Sequence, residues 1–182
     1  MSDSSGTASR AQARLLLTAL AVTVADQAVK RAVASATRIG ESVDVIGSFV
    51  RITRTSNTGG AFGIFRGRAG WFIVVSVLAA AAIVAFSRQL AKARRIEQTA
   101  FALILGGAVG NLIDRIRVGA VVDFIDIGGS AYRWPAFNVA DSCITIGVTL
   151  LAVSLVFLRS VPSELREAPP GSGARTDAGD GR

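Results

Sequence analysis

Five aspartates stand out as groups able to do chemistry: Asp26, Asp114, Asp123, Asp126 and Asp141, each beside or within an apolar run. The chain has no histidine, which excludes Ser-His-Asp and Cys-His catalysis, HExxH zinc sites and any imidazole base. Its one cysteine, Cys143, excludes thiolate metal clusters and intramolecular disulfides. Carboxylates are then the expected proton handlers, with hydroxyls or lysine as remoter options. Two aspartates about 3 Å apart cannot both ionise, so one keeps a proton while its partner acts as base toward water. Such a pair hydrolyses a peptide bond at neutral pH without a metal or cofactor.

Each acid also has a structural alternative. Asp26 lies one turn from Lys30 and can pair with it. Asp114 can pair with Arg115 or Arg117 at a helix end. Asp141, three residues after Asn138, fits an N-terminal helix cap. Asp126 can face solvent from a strand. Asp123, flanked by Val121, Val122, Phe124 and Ile125, is the hardest to explain that way.

The elements that must position these acids are apolar. Of 182 residues, 51% are hydrophobic and only 18% charged, with a net charge of +7 and a mean hydropathy of +0.48. Average soluble proteins carry roughly 25% charged residues. Four runs have the length and composition of membrane helices: about residues 12 to 33, Ala69 to Phe86, Ile96 to Ile113 and Val139 to Leu158. The first is marginal because Asp26 and Gln27 interrupt it. Gly106 and Gly110 form a GxxxG pair, read as close helix packing rather than a phosphate-binding loop, since no strand precedes them. The expected fold is therefore an all-α membrane protein, a four-helix transmembrane bundle with a small extramembrane β portion from the first and third loops. A hairpin is expected over Val43 to Thr55, turning at Gly47-Ser48, and a second short hairpin over Ala120 to Pro135. Residues 1–9 and 162–182 read as disordered tails around a membrane domain at 10–161.

Charge does not orient the chain by count. The tails and second loop carry 10 basic residues, half of the 20 in the chain. Density places the short second loop, with Arg88, Lys92, Arg94 and Arg95, in the cytoplasm. Parity is firmer, because four alternating spans bring Asp26, Asn57, Asn111, Asp114, Asp123, Asn138 and Asp141 to one membrane face. Ionisable groups clustered at membrane depth mark a functional site.

Five blocks along the chain carry a resemblance. Asp26-Gln27-x-x-Lys30, Asn57-Thr58-Gly59-Gly60-Ala61-Phe62-Gly63, Gly106 to Arg115, Val121-Val122-Asp123-Phe124-Ile125 and Phe137-Asn138-Val139-Ala140-Asp141-Ser142 occur in this order. Together they resemble the motif blocks of the lipoprotein signal peptidase (type II signal peptidase) family. The resemblance implies an integral aspartyl endopeptidase of the bacterial inner membrane. Its expected substrates are diacylglyceryl-modified prolipoproteins, cut just before the lipidated cysteine. It implies Asp123 and Asp141 as the catalytic pair. Asp26, Asn57, Asn111, Asp114, Arg115 and Asn138 would position substrate or orient that pair. It also implies cytoplasmic termini, a site toward the outer face, contact with membrane lipid, a monomer, and no metal, cofactor or nucleic acid. No motif position departs from the family's pattern, and the double glycine at 59 and 60 and the long polar C-terminal tail read as variable features.

Three other readings follow from the residues alone. Intramembrane acids also suit a non-enzymatic transporter or channel subunit. Residues 10–25 resemble a cleavable signal, with Arg10 and Arg14 before an apolar stretch ending Thr23-Val24-Ala25. The net charge admits nucleic-acid binding, but basic residues flanking membrane spans account for it better.

Overall fold

A computed structural model describes residues 3–59 and 69–158. In chain order these form α1 (Asp3–Ala36), β1 (Ser42–Ile46), β2 (Val50–Asn57), α2 (Ala69–Ala85), the short α3 (Ser87–Leu90), α4 (Arg95–Val118), β3 (Val121–Ile127) and α5 (Val139–Val153). A π turn, Ser154–Leu158, continues α5. The architecture is helical with one small sheet. Two of its helical segments, Arg95–Val118 and Val139–Phe157, are long and apolar enough to cross a membrane, and Gly70–Ala85 is apolar but shorter.

Glycine explains why α4 sits at the centre. A Cβ on Gly106 would lie 2.6 Å from the Ala19 carbonyl oxygen of α1, and one on Gly107 would lie 2.5 Å from the Ala140 carbonyl oxygen of α5. Two faces of one helix are thus stripped to backbone so that two neighbours can approach it. Gly147 of α5 answers from the other side, where a Cβ would meet the Ala100 carbonyl oxygen at 2.8 Å. Leu15, Ala19, Ile83, Ala102 and Leu105 fill the buried core between α1, α2 and α4.

The sheet has the order β1-β2-β3, antiparallel throughout. The expected first hairpin is present, with Gly47 at φ +48 in its turn. The two loops do not make separate hairpins, however. β3 joins the open edge of β2, and the return of the third loop contributes only isolated bridges, Ile125 to Phe137 and Gly128 to Arg133. Backbone groups left unpaired on β2 supply the reason, because adding a strand satisfies that edge.

Other boundaries also differ from the sequence expectation. α1 begins at Asp3, inside the stretch read as an N-terminal tail, and runs without a break through residues 10–25. α4 continues past Ile113 to Val118, where Gly119 closes it in the left-handed region at φ 74 and its N–H bonds the Arg115 carbonyl. The C-terminal tail expected at 162–182 lies outside the described residues, as do Gly60 to Gly63 of the second motif block.

Candidate functional site

Asp123 stands on β3, 1% exposed, with both carboxylate oxygens engaged. Asn138 Nδ2 donates to its Oδ1 at 2.6 Å and Asn57 Nδ2 to its Oδ2 at 2.8 Å. The sheet register arranges the second contact. Asn57 pairs with Val121, and residues 121 and 123 project from the same face of the strand. The first contact follows from the bridge between Phe137 and Ile125, whose backbone bonds of 2.7 and 3.1 Å deliver Asn138 beside the strand.

Asn138 is also the N-cap of α5. Its Oδ1 accepts the Asp141 N–H at 2.9 Å, and Asp141 Oδ2 accepts the Asn138 N–H at 3.3 Å. The capping alternative for Asp141 is therefore correct, but it uses only one carboxylate oxygen. The other, Oδ1, accepts from Asn111 Nδ2 at 2.7 Å. Asn138 thus touches both acids, and Asp123 and Asp141 line a single cavity of about 530 Å³. Asn57 and Arg115 border it, and Trp134, Phe137, Ile144 and Ile146 give it an apolar wall.

Beneath the cavity lies an ionic cluster. Lys30 Nζ is 2.8 Å from Asp26 Oδ2 and 2.8 Å from Asp114 Oδ2. Asp26 is fully buried, and its Oδ1 accepts the Ala140 N–H at 2.9 Å. Gly110 makes room for it, since a Cβ there would lie 2.6 Å from Asp26 Oδ2. Asp114 pairs with Lys30 rather than with Arg115 or Arg117, and its Oδ2 also accepts the Val122 N–H at 3.2 Å, tying α4 to β3. Gln27 Nε2 donates to Asp114 Oδ1 at 2.8 Å and to the Gly110 carbonyl at 3.1 Å.

Of the eight residues singled out from sequence, Asn57, Asn111, Asp123, Asn138 and Asp141 are therefore joined by direct side-chain hydrogen bonds, and Asp26 and Asp114 connect to them through Lys30. The eighth, Arg115, lies at the cavity edge with its guanidinium over the Phe72 ring at 4.9 Å and a long bond of 3.5 Å to the Asn111 carbonyl. Asp126 belongs elsewhere. Arg133 Nε donates to it at 2.7 Å and Thr53 Oγ1 at 2.9 Å, so it staples the third loop to the sheet and does not face solvent freely. Cys143 is half-buried and free. Among the described residues no three acids, histidines or cysteines are grouped to hold a metal ion. Sequence reasoning missed the central place of Lys30 and Gln27. Both stood in the first motif block without a role of their own, and the i, i+4 spacing of Asp26 and Lys30 reports one partner and hides the others.

Burial pushes the Asp123 carboxyl up to about 6, from an ordinary 3.8; the nearby Asp141 adds to the rise, and the Asn57 and Asn138 donors oppose it. Between about pH 4 and 6 the folded chain then holds a proton that the unfolded chain has lost. Stability accordingly falls as pH rises through that window. Asn57→Ala removes a donor that favours the carboxylate, so the Asp123 titration is expected to move above 6 and the window to extend upward. Carboxyl-carbon NMR across pH 4 to 9 measures this, and an unchanged or lower midpoint refutes it.

Comparison with known proteins places this arrangement in context. Residues 18–157 match a family model described as signal peptidase (SPase) II. The chain is 44% identical over 153 residues to a lipoprotein signal peptidase of Desulforapulum autotrophicum, covering 81% of this chain and 94% of that protein. It is 40% identical over 141 residues to a lipoprotein signal peptidase of Staphylococcus haemolyticus, covering 78% of this chain and 89% of that protein. Two solved bacterial membrane enzymes, determined by the in meso method at 2.3 and 1.9 Å, share its fold. They superpose with TM-scores of 0.75 and 0.71 at 38% and 39% identity, over 81% and 80% of this chain and 90% and 94% of theirs.

Proposed function

The chain belongs to the signal peptidase II family, and from that premise we propose that Asp123 and Asp141 are the catalytic pair of an aspartic endopeptidase acting on prolipoproteins. The observation that carries the assignment is that both carboxylates line one cavity and both accept hydrogen bonds from Asn138. The two carboxyls share one proton. The ionised member takes a proton from a water as its oxygen attacks the scissile carbonyl carbon, while the protonated member gives its proton to the carbonyl oxygen. On collapse of the gem-diol intermediate the carboxyl that took the water's proton gives it to the departing amine nitrogen and the C–N bond breaks. The other carboxylate takes a proton from a gem-diol hydroxyl as the new carboxyl group forms, so the pair again holds a single proton.

The remaining residues support that exchange. Asn57, Asn111 and Asn138 hold the acids by their oxygens, while Asp26 ties α1 to the start of α5 and Asp114 ties α4 to β3. Arg115, a cation at the cavity edge, suits a substrate carbonyl. The mixed lining, two acids together with Trp134, Phe137 and Ile144, suits a peptide bond presented beside an apolar chain. Diacylglyceryl tails stay in lipid while the bond before the modified cysteine reaches the acids.

In this reading α1, α2, α4 and α5 cross the bacterial inner membrane as a monomeric bundle over residues 10–161. Both termini are cytoplasmic and the sheet and cavity lie toward the outer face. Exposed Leu17, Leu20, Trp71, Leu78 and Phe157 on these helices fit contact with lipid. The chemistry calls on no metal, cofactor or nucleic acid.

The test is a synthetic precursor offered with and without its diacylglyceryl group. Cleavage immediately before the modified cysteine is expected on the lipidated peptide, with the unmodified peptide cut slowly or not at all. Equal rates on both refute the substrate assignment.

A further inference from the structure

Lys30 is 3% exposed and is not among the residues lining the cavity. An ammonium has three N–H donors and no acceptor. Here all three are used, on Asp26 Oδ2 at 2.8 Å, Asp114 Oδ2 at 2.8 Å and Asn111 Oδ1 at 2.9 Å. The third contact decides how the Asn111 amide lies. Its oxygen also accepts Asn138 Nδ2 at 3.1 Å, so its NH₂ is left pointing at Asp141 Oδ1, 2.7 Å away. Turning that amide over would set an NH₂ against an ammonium and a second NH₂, and an oxygen against a carboxylate. Three attractive contacts would become three repulsive ones.

We propose that Lys30 is a positioning residue for the hydrolysis: acting through the Asn111 amide, it fixes the Asp141 carboxylate without touching substrate. The inference rests on the reading of Asp123 and Asp141 as the catalytic pair. Gln27 supports the same arrangement by holding Asp114, and through it the ammonium, in place. Neutralising two buried acids is a second task of Lys30, and that task alone would make no use of Asn111.

A double-mutant cycle separates the two tasks. Lys30→Met, Asn111→Ala and the double variant are compared with the parent for kcat and KM on a lipidated precursor peptide, with Asp141→Asn measured alongside. Lys30→Met is expected to lower kcat on the order of 10- to 100-fold, the cost of a carboxylate displaced by a fraction of an ångström, while KM stays close to the parent value. In the Asn111→Ala background the same change is expected to cost less than about twofold more, because its route to Asp141 is already cut. Multiplying effects, or parent-like kcat in Lys30→Met, overturn the proposal. Where Lys30→Met does not fold, the cycle is run on Asp114→Asn, in which the loss of one negative charge offsets the loss of the positive one. Failure to fold there too leaves Lys30 a purely structural role and overturns the proposal. Turnover retained in Asp141→Asn would instead refute the catalytic pair itself, whereas an inactive Asp141→Asn with independent Lys30 and Asn111 effects refutes only the role of Lys30.

Discussion

Asp123→Asn and Asp141→Asn are each expected to lower turnover of a lipidated precursor by about 10³-fold or more, the scale of losing a positioned proton donor or acceptor. Neither change alters the number of heavy atoms. Asparagine can neither take a proton from water nor give one to the carbonyl oxygen, so the shared proton disappears with either substitution. Asn138 would still cap α5 through its Oδ1, so both variants should insert and fold. Asp126→Asn is the internal control. That acid is held by Arg133 and Thr53 and is absent from the cavity lining, so its turnover should stay close to the parent's. Initial rates on a fluorogenic lipidated peptide decide the matter. Near-parent turnover in either Asp123→Asn or Asp141→Asn removes the pair assignment.

The second large effect is expected at a residue with no side chain. Gly107→Ala would place a Cβ 2.5 Å from the Ala140 carbonyl oxygen and 2.8 Å from Ile144 Cγ1. The nearer obstacle is backbone and cannot rotate away, so α4 and α5 must separate. Overpacking of this kind costs about 1–3 kcal/mol. The larger effect is on catalysis, since Asn111 and Asp141 sit on those two helices and bond at 2.7 Å. A displacement of about 1 Å at a reacting group costs on the order of 10²-fold in rate. Gly70→Ala on α2 has open space around it and should leave stability and turnover near the parent's. Thermal unfolding in detergent and kcat measured together test this, and parent-like values for Gly107→Ala would show that the helix separation is softer than its backbone contact implies.

Lys30 shows how much of the site can be read along the chain and where that reading stops. Its spacing from Asp26 is visible as one helical turn, and the pair is present at 2.8 Å. Its contacts with Asn111 and Asp114 span 81 and 84 positions and have no local signature. Asp114 illustrates the converse. Neighbouring arginines offered themselves as partners, yet burial selected a lysine from another helix, because a carboxylate sealed from water needs its cation close and equally buried. The glycines at 106 and 110 were legible as a packing signal, but which neighbour each admits was not. Gly106 accommodates α1 backbone, while Gly110 accommodates the Asp26 carboxylate itself.

Residue types alone narrowed the chemistry open to this protein. Without histidine, and with one cysteine, its acids are the expected proton handlers at neutral pH, and the ordered motif blocks pointed to the two assigned to the proposed reaction. Long apolar runs determined that the chain is helical, because a hydrophobic stretch must satisfy its backbone internally. Tertiary structure alone decided that the first and third loops share one sheet, that Asn138 bridges the two acids, and that a buried lysine sets the amide facing Asp141. The physical reason is that donors and acceptors are matched in space. A carboxylate or an amide finds its partner through the packing of α1, α4, α5 and β3, and those elements meet only when the glycine faces of α4 let them approach.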